Sequence, residues 1–166
     1  MVKAPKRRSR SSLEDWMQLG VRFLARRDRT VAQVEQYLAS KGASSLQVRQ
    51  TVRRLSDLSY LNDRAYAQRW VDNRLASRPM GCERLKAELQ ARGIAETLAD
   101  RVITDAFRDV DEETLAHQAL NVKQGHGRRL TRSQTVNFLR RRGFGQETID
   151  RMIGEYGLCE GPVYEE

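Results

Sequence analysis

Apolar side chains along this chain recur at three- and four-residue intervals, and no stretch alternates apolar with polar positions long enough to build a strand. The pattern predicts helices nearly throughout. It also copies itself. The segments Thr30–Gly42, Gly81–Gly93 and Thr131–Gly143 each open on a residue able to cap a helix and close on a glycine twelve positions later. Thr30 precedes Gln33, and Thr131 precedes Gln134, by three residues. At that spacing the hydroxyl and the amide side chain satisfy each other's backbone donors. Gly81 is tolerated as a cap but supplies no acceptor side chain. Four residues before each closing glycine stands a leucine (Leu38, Leu89, Leu139), and immediately before it a base (Lys41, Arg92, Arg142). The leucine, with Val34 or Leu85 a turn earlier, forms a buried stripe. The base suits the negative end of the helix dipole, and glycine takes the left-handed backbone that ends the helix.

A further helix follows each glycine. Val48, Ala99 and Ile149 lie six residues past it, and Val52, Ile103 and Ile153 lie ten past, so each pair shares one helical face. Another amphipathic stretch precedes each capped segment: Leu13–Arg26, Asp63–Ala76 and Glu112–Lys123, with Asn62 and Asp111 expected to cap the latter two. The expected fold is therefore all-α, with three tandem three-helix repeats of about 50 residues at 13–60, 61–108 and 109–157. A basic disordered arm, 1–12, and an acidic tail, 158–166, flank them. Units this small bury little core alone and must lean on their neighbours. Phe23, Tyr37, Tyr66, Trp70, Phe138 and Phe144 fall in the apolar stripes and are expected to pack between helices.

Charge changes the picture from a fold to a partner. The chain carries 30 Lys and Arg against 22 Asp and Glu, a net charge of +8. The arm holds five of the cations (Lys3, Lys6, Arg7, Arg8, Arg10) and the tail three of the acids (Glu160, Glu165, Glu166), so the body alone keeps +6. A positive surface attracts phosphate backbones and acidic proteins. Cys82 and Cys159 are too few for a disulfide framework, which points to a reducing cytoplasm. No secretory signal or membrane-spanning run is expected.

Chemistry is sparse. His117 and His126 have no histidine or cysteine at metal-ligand spacing, and no GxxxxGK phosphate loop occurs. Gly125-His126-Gly127 reads as a loop breaker, and Asp109, Asp111, Glu112 and Glu113 as charges favoured at a helix N-terminus. No enzyme, cofactor or metal is expected. The informative polar residues are the arginine clusters: Arg26, Arg27 and Arg29; Arg53 and Arg54; Arg128, Arg129 and Arg132; Arg140, Arg141 and Arg142. Consecutive helical residues point about 100° apart, so three adjacent arginines cannot all be buried. Arg49 shares a face with Arg53. Arginine matches phosphate and carboxylate with two parallel donors. As contacts to a partner or to phosphate we single out Arg53, Arg54, Lys86, Arg92, Arg140, Arg141 and Arg142.

The repeats and their punctuation resemble the RecX regulatory proteins from about residue 19 to 156. Leu24-Ala25-Arg26-Arg27-Asp28-Arg29-Thr30 is similar to that family's LxxRxxS/T segment. Leu58-Ser59-Tyr60-Leu61-Asn62-Asp63-Arg64-Ala65-Tyr66-Ala67 resembles its LGYLDDxRFA, the most specific match. Arg84 to Ile94 resembles RIRQELRQKGI, and Phe138 to Phe144 resembles FLARRGF. Ser59 stands where the family has glycine, and Pro79-Met80-Gly81-Cys82 keeps only the second glycine of a GYGP turn. The resemblance implies an elongated, curved arrangement of repeats. It also implies a modulator that lies in the groove of the RecA filament on DNA and, as is usual in the family, inhibits strand exchange, ATP hydrolysis and the SOS response; the chain is expected to act as a monomer. The alternative from charge alone is a free-standing, non-specific DNA-binding protein with helix-turn-helix-like repeats; no repeat shows an evident base-reading trio.

Overall fold

The structure, a computed structural model, describes residues 12–125 and 130–155. The cations of the expected arm, the acidic tail, Arg128, Arg129, His126 and Cys159 lie outside the described residues. Among the described residues there are nine α-helices and no strand. The chain divides into two compact units, Met1–Asp63 and Arg64–Glu166.

The first unit holds α1 (Leu13–Leu24), α2 (Val31–Ser40) and α3 (Ser45–Asp57). All three open on capping boxes, at Ser12 with Asp15, Thr30 with Gln33 and Ser44 with Gln47. Each cap contributes about 1 kcal/mol. α2 ends as its glycine requires: Gly42 has φ +95°, its N–H reaches Ala39 O, and Ala43 N–H reaches back to Leu38 O. Trp16, Val34, Leu38, Val48, Val52, Leu55 and Leu61 make the core. Beside it the Phe23 and Tyr37 rings stack at 3.9 Å and 5°, with Arg29 over Phe23 and Lys41 over Tyr37. These aromatics are packing residues, as the stripes imply. Asp63 closes the unit by accepting from Val31 N–H, the first donor of α2, at 2.9 Å. Burial pushes the Asp63 carboxyl up, against the lowering effect of that bond.

The second unit holds α4 (Asp63–Ser77, from Arg64 onward), α5 (Cys82–Gln90), α6 (Glu96–Ala106), α7 (Glu112–Gln124), α8 (Arg132–Arg141) and α9 (Gln146–Glu155). Thr131 forms the expected capping box with Gln134, and Asp111 caps α7 through Thr114 N–H. Gly93 and Gly143 adopt φ +81° and +76°, and the N–H groups of Ile94 and Phe144 reach back to Leu89 O and Leu139 O. One core gathers around Val71, Leu85, Leu89 and Val102, another around Leu120, Leu139, Ile149 and Met152. Leu75 and Phe107 pack against both and join them.

A backbone seam locks this unit. Gly81 N–H donates to Arg142 O at 2.9 Å, and a Cβ on Gly81 would lie 2.0 Å from Gly143 O. A Cβ on Gly143 would lie 2.4 Å from the Arg84 backbone nitrogen. Gly81 is thus glycine because another backbone passes over it, while its cap position makes no side-chain hydrogen bond. The altered Pro79-Met80-Gly81-Cys82 turn keeps the one residue this approach demands, and Met80 fills the core. Glu112 adds a polar clasp. It accepts from Cys82 N–H at 3.2 Å, Gly145 N–H at 3.4 Å and the Thr148 hydroxyl at 2.7 Å, binding the starts of α5 and α9 together.

Candidate nucleic-acid interface

The base before each closing glycine folds back onto an aromatic ring. Lys41 lies over Tyr37, Arg92 over Trp70 at 4.5 Å, and Arg142 over Phe138 at 5.0 Å. Such contacts contribute about 0.5–2 kcal/mol and hold the cation in place. Arg92 also donates to Glu88 O, and Arg142 donates to Pro79 O at 2.9 Å across the seam. Burial, then the Arg78 and Arg84 guanidiniums nearby, lowers the Arg142 pKa. Lys86 is held between Glu96 at 2.9 Å and Asp100 at 2.7 Å; its pKa is raised chiefly by its hydrogen bonds to Asp100 and Glu96. Three of the seven candidate contacts, Lys86, Arg92 and Arg142, therefore have intramolecular partners. For two of the three bases a signal stood in the sequence: an aromatic one turn earlier, Tyr37 before Lys41 and Phe138 before Arg142.

The other four are exposed. Arg140 makes only a 3.5 Å contact to Gln146, while the Arg141 side chain, like those of Arg53 and Arg54, has no carboxylate partner among the described residues. In the first unit Arg53 belongs to a wider face. With about 100° per residue, Leu46, Arg49, Gln50 and Asp57 project within about 60° of Arg53, and Arg54 flanks them. All of these side chains are exposed, Leu46 by 57%. Val48, Thr51, Val52 and Leu55 turn inward, so the buried stripe fixes which side faces out. An open cleft of about 380 Å³ between α2 and α3 runs beside Arg49, with Glu35 on its far wall.

The matching helices of the second unit have a different surface. Seven residues past the closing glycine, α3 has Arg49 where α6 has Asp100 and α9 has Asp150. Twelve past, Arg54 corresponds to Asp105 and Glu155. Over their lengths α3 carries three arginines and one acid, and α6 and α9 each carry three acids and one arginine. Those acids are largely engaged. Glu96 and Asp100 hold Lys86, Asp105 pairs with Arg108 at 3.2 Å, and Glu155 meets His117 Nε2 at 2.9 Å. Arg151 pairs with Glu113 and Glu147. Arg49 is a candidate contact that the clusters of adjacent arginines left out; its i, i+4 relation to Arg53 was the signal.

Among the described residues no group of three or more His, Cys, Asp and Glu is placed to hold a metal ion, and no helix is long and apolar enough to cross a membrane. Burial, followed by the Glu112 carboxylate, pushes the Cys82 thiol up, which disfavours a reactive thiolate there.

Comparison with known proteins agrees with this architecture. Residues 17–55 match the family description "RecX, first three-helix domain", and residues 62–103 match "RecX, second three-helix domain". The regulatory protein RecX of Treponema pallidum (strain Nichols) is 30% identical over 81% of this chain and 73% of its own length. That of Chlorobaculum tepidum is 31% identical over 80% and 82%. The crystal structure of RecX from Lactobacillus salivarius superposes with a TM-score of 0.72 at 24% identity, covering 89% of this chain and 97% of that one.

Proposed function

This chain belongs to the RecX family of regulatory proteins, and on that premise we propose that it regulates the RecA recombinase. In this reading it binds the RecA–DNA filament along its helical groove in the bacterial cytoplasm and inhibits strand exchange and ATP hydrolysis. A chain of copied helical units sets equivalent helices in succession, which suits a partner that is itself a repeating helix. Repeats at 13–60, 61–108 and 109–157 would supply those surfaces.

The observation that carries the reading is the family match across four-fifths of the chain; the exposed arginines supply the means. Arg53, Arg54, Arg140 and Arg141 are available to acidic protein surface or to phosphate. Lys86, Arg92 and Arg142 would take part with their paired or stacked neighbours, shaping the surface around them.

The test is RecA-dependent ATP hydrolysis on single-stranded DNA with the full chain added. Hydrolysis is expected to fall as the chain approaches RecA-equivalent concentration, and unchanged hydrolysis there overturns the proposal. Charge reversal R140E/R141E is expected to weaken inhibition without unfolding the protein.

A further inference from the structure

We propose that α3 is a DNA-docking helix: its outward face lies in the major groove of duplex DNA, with Arg49, Arg53 and Arg54 on phosphates and Gln50 toward base edges. This goes beyond filament regulation, because it concerns the chain and DNA with no recombinase present.

Three observations carry it. The first is charge without internal use. Arg49, Arg53 and Arg54 are exposed and have no carboxylate partner among the described residues, whereas the acids at the matching positions of α6 and α9 are mostly tied to cations of their own unit. A copied helix whose surface alone has turned basic is matched to an anionic partner. Asp57 and Glu35 border the face, and neither pairs with these arginines.

The second is shape. An α-helix with its side chains is about 10–12 Å across, and the B-DNA major groove is about 12 Å wide. Leu46, Arg49, Gln50 and Arg53 occupy successive turns of one side, so a groove can receive them together. Arginine and glutamine are among the side chains that pair with base edges there, and an apolar group such as Leu46 can meet a thymine methyl.

The third is rigidity of the mount. α3 begins at the Ser44–Gln47 capping box and ends in a turn where Tyr60 N–H reaches Leu55 O. Its inner side is packed by α1 and α2. Single-strand binders use aromatic rings on which bases stack, and the face from 46 to 57 has none. The nearest exposed ring, Tyr60, lies past the helix end. The observations therefore favour the duplex.

The experiment is fluorescence anisotropy of the full chain with a short mixed-sequence duplex and the matching single strand, across a salt series. Neutralising all three arginines (R49Q/R53Q/R54Q) is expected to weaken duplex binding about a hundredfold near 0.1 M salt. The slope of log K against log salt should fall by about 2–3, with each single variant contributing about 1. R101Q on α6, the one exposed arginine of the matching helix and outside the proposed face, serves as the control and is expected to leave most of the slope in place. Helical circular dichroism of the single variants confirms folding, since each change is on the surface. Unchanged duplex affinity and slope in the triple variant overturn the proposal. So does normal duplex binding with inhibition of RecA lost, which would make α3 a protein-docking face, and so does a larger loss for the single strand than for the duplex. Failure of the ATP-hydrolysis assay with duplex binding intact would remove the filament reading and leave this one standing.

Discussion

The two compact units use the same helical grammar to different ends. In the first, the closing glycine of α2, Gly42, turns in open space, with nothing within 4 Å of where its Cβ would be. Its arginines on α3 are exposed and have no carboxylate partner among the described residues. In the second, the equivalent Gly143 is pressed against Arg84 and Gly81, and most of the acids on α6 and α9 are tied to cations of their own unit. Copying a unit preserves its caps and its buried leucines. What diverges is the outer surface: α3 carries exposed arginines where α6 and α9 carry acids, most of them paired within their unit.

The largest effect that would test this contrast is at the glycines. Gly81→Ala and Gly143→Ala each force a backbone apart, and we expect a loss of at least about 3 kcal/mol in a denaturant melt. Gly42→Ala faces only its left-handed backbone and should cost about 1–2 kcal/mol. Equal losses at positions 42 and 143 would erase the distinction between the units.

Next come the two carboxylates that tie helix starts. Glu112→Ala abandons two backbone donors and a hydroxyl, an expected cost of about 2–3 kcal/mol. Asp63→Ala loses the acceptor for Val31 N–H, worth about 1 kcal/mol. Thermal or urea unfolding of the pair measures the ratio.

A smaller change should go the other way. Ser59 holds φ +60°, a conformation that glycine adopts without strain. Ser59→Gly is expected to stabilise the first unit by about 1 kcal/mol, read as a raised midpoint with an unchanged denaturant slope.

The smallest effect is pH dependence, with opposite signs in the two units. Burial raises the Asp63 pKa, so its folded form binds a proton more readily than the unfolded chain, and its contribution to stability falls as pH rises through the folded value. For Glu88, burial acts upward but the hydrogen bonds from Arg74 and Arg84 win, and its pKa is lowered. The stability from Glu88 is present above the ordinary carboxylate range and is lost as pH falls through its folded value. Carbon-detected NMR titration should show Asp63 titrating above, and Glu88 below, their unfolded values.

Much of the fold was legible in the chain because caps, stripes and closing glycines act over three or four residues. Thr30, Thr131, Asp111 and the glycines at 42, 93 and 143 sit in the settings that local geometry requires. The candidate site was less legible, because whether a cation is free depends on residues distant in sequence. Arg142 is engaged by Pro79, 63 residues away, and Arg92 by Trp70. Glu112 looked like a charge placed for a helix dipole and proved to clasp two other helices as well. Gly81 looked like a weak cap, and its reason is the carbonyl of Gly143. Lys86 came closer to being readable: its partners Glu96 and Asp100 lie just across the next turn, on the following helix.

The most direct measurement is a proton–nitrogen NMR titration of the full chain with duplex DNA. The account predicts amide shift changes concentrated in α3, around Arg49, Gln50, Arg53 and Arg54, with α6 and α9 nearly unmoved. Changes in α6 or α9 that equal those in α3 would contradict it.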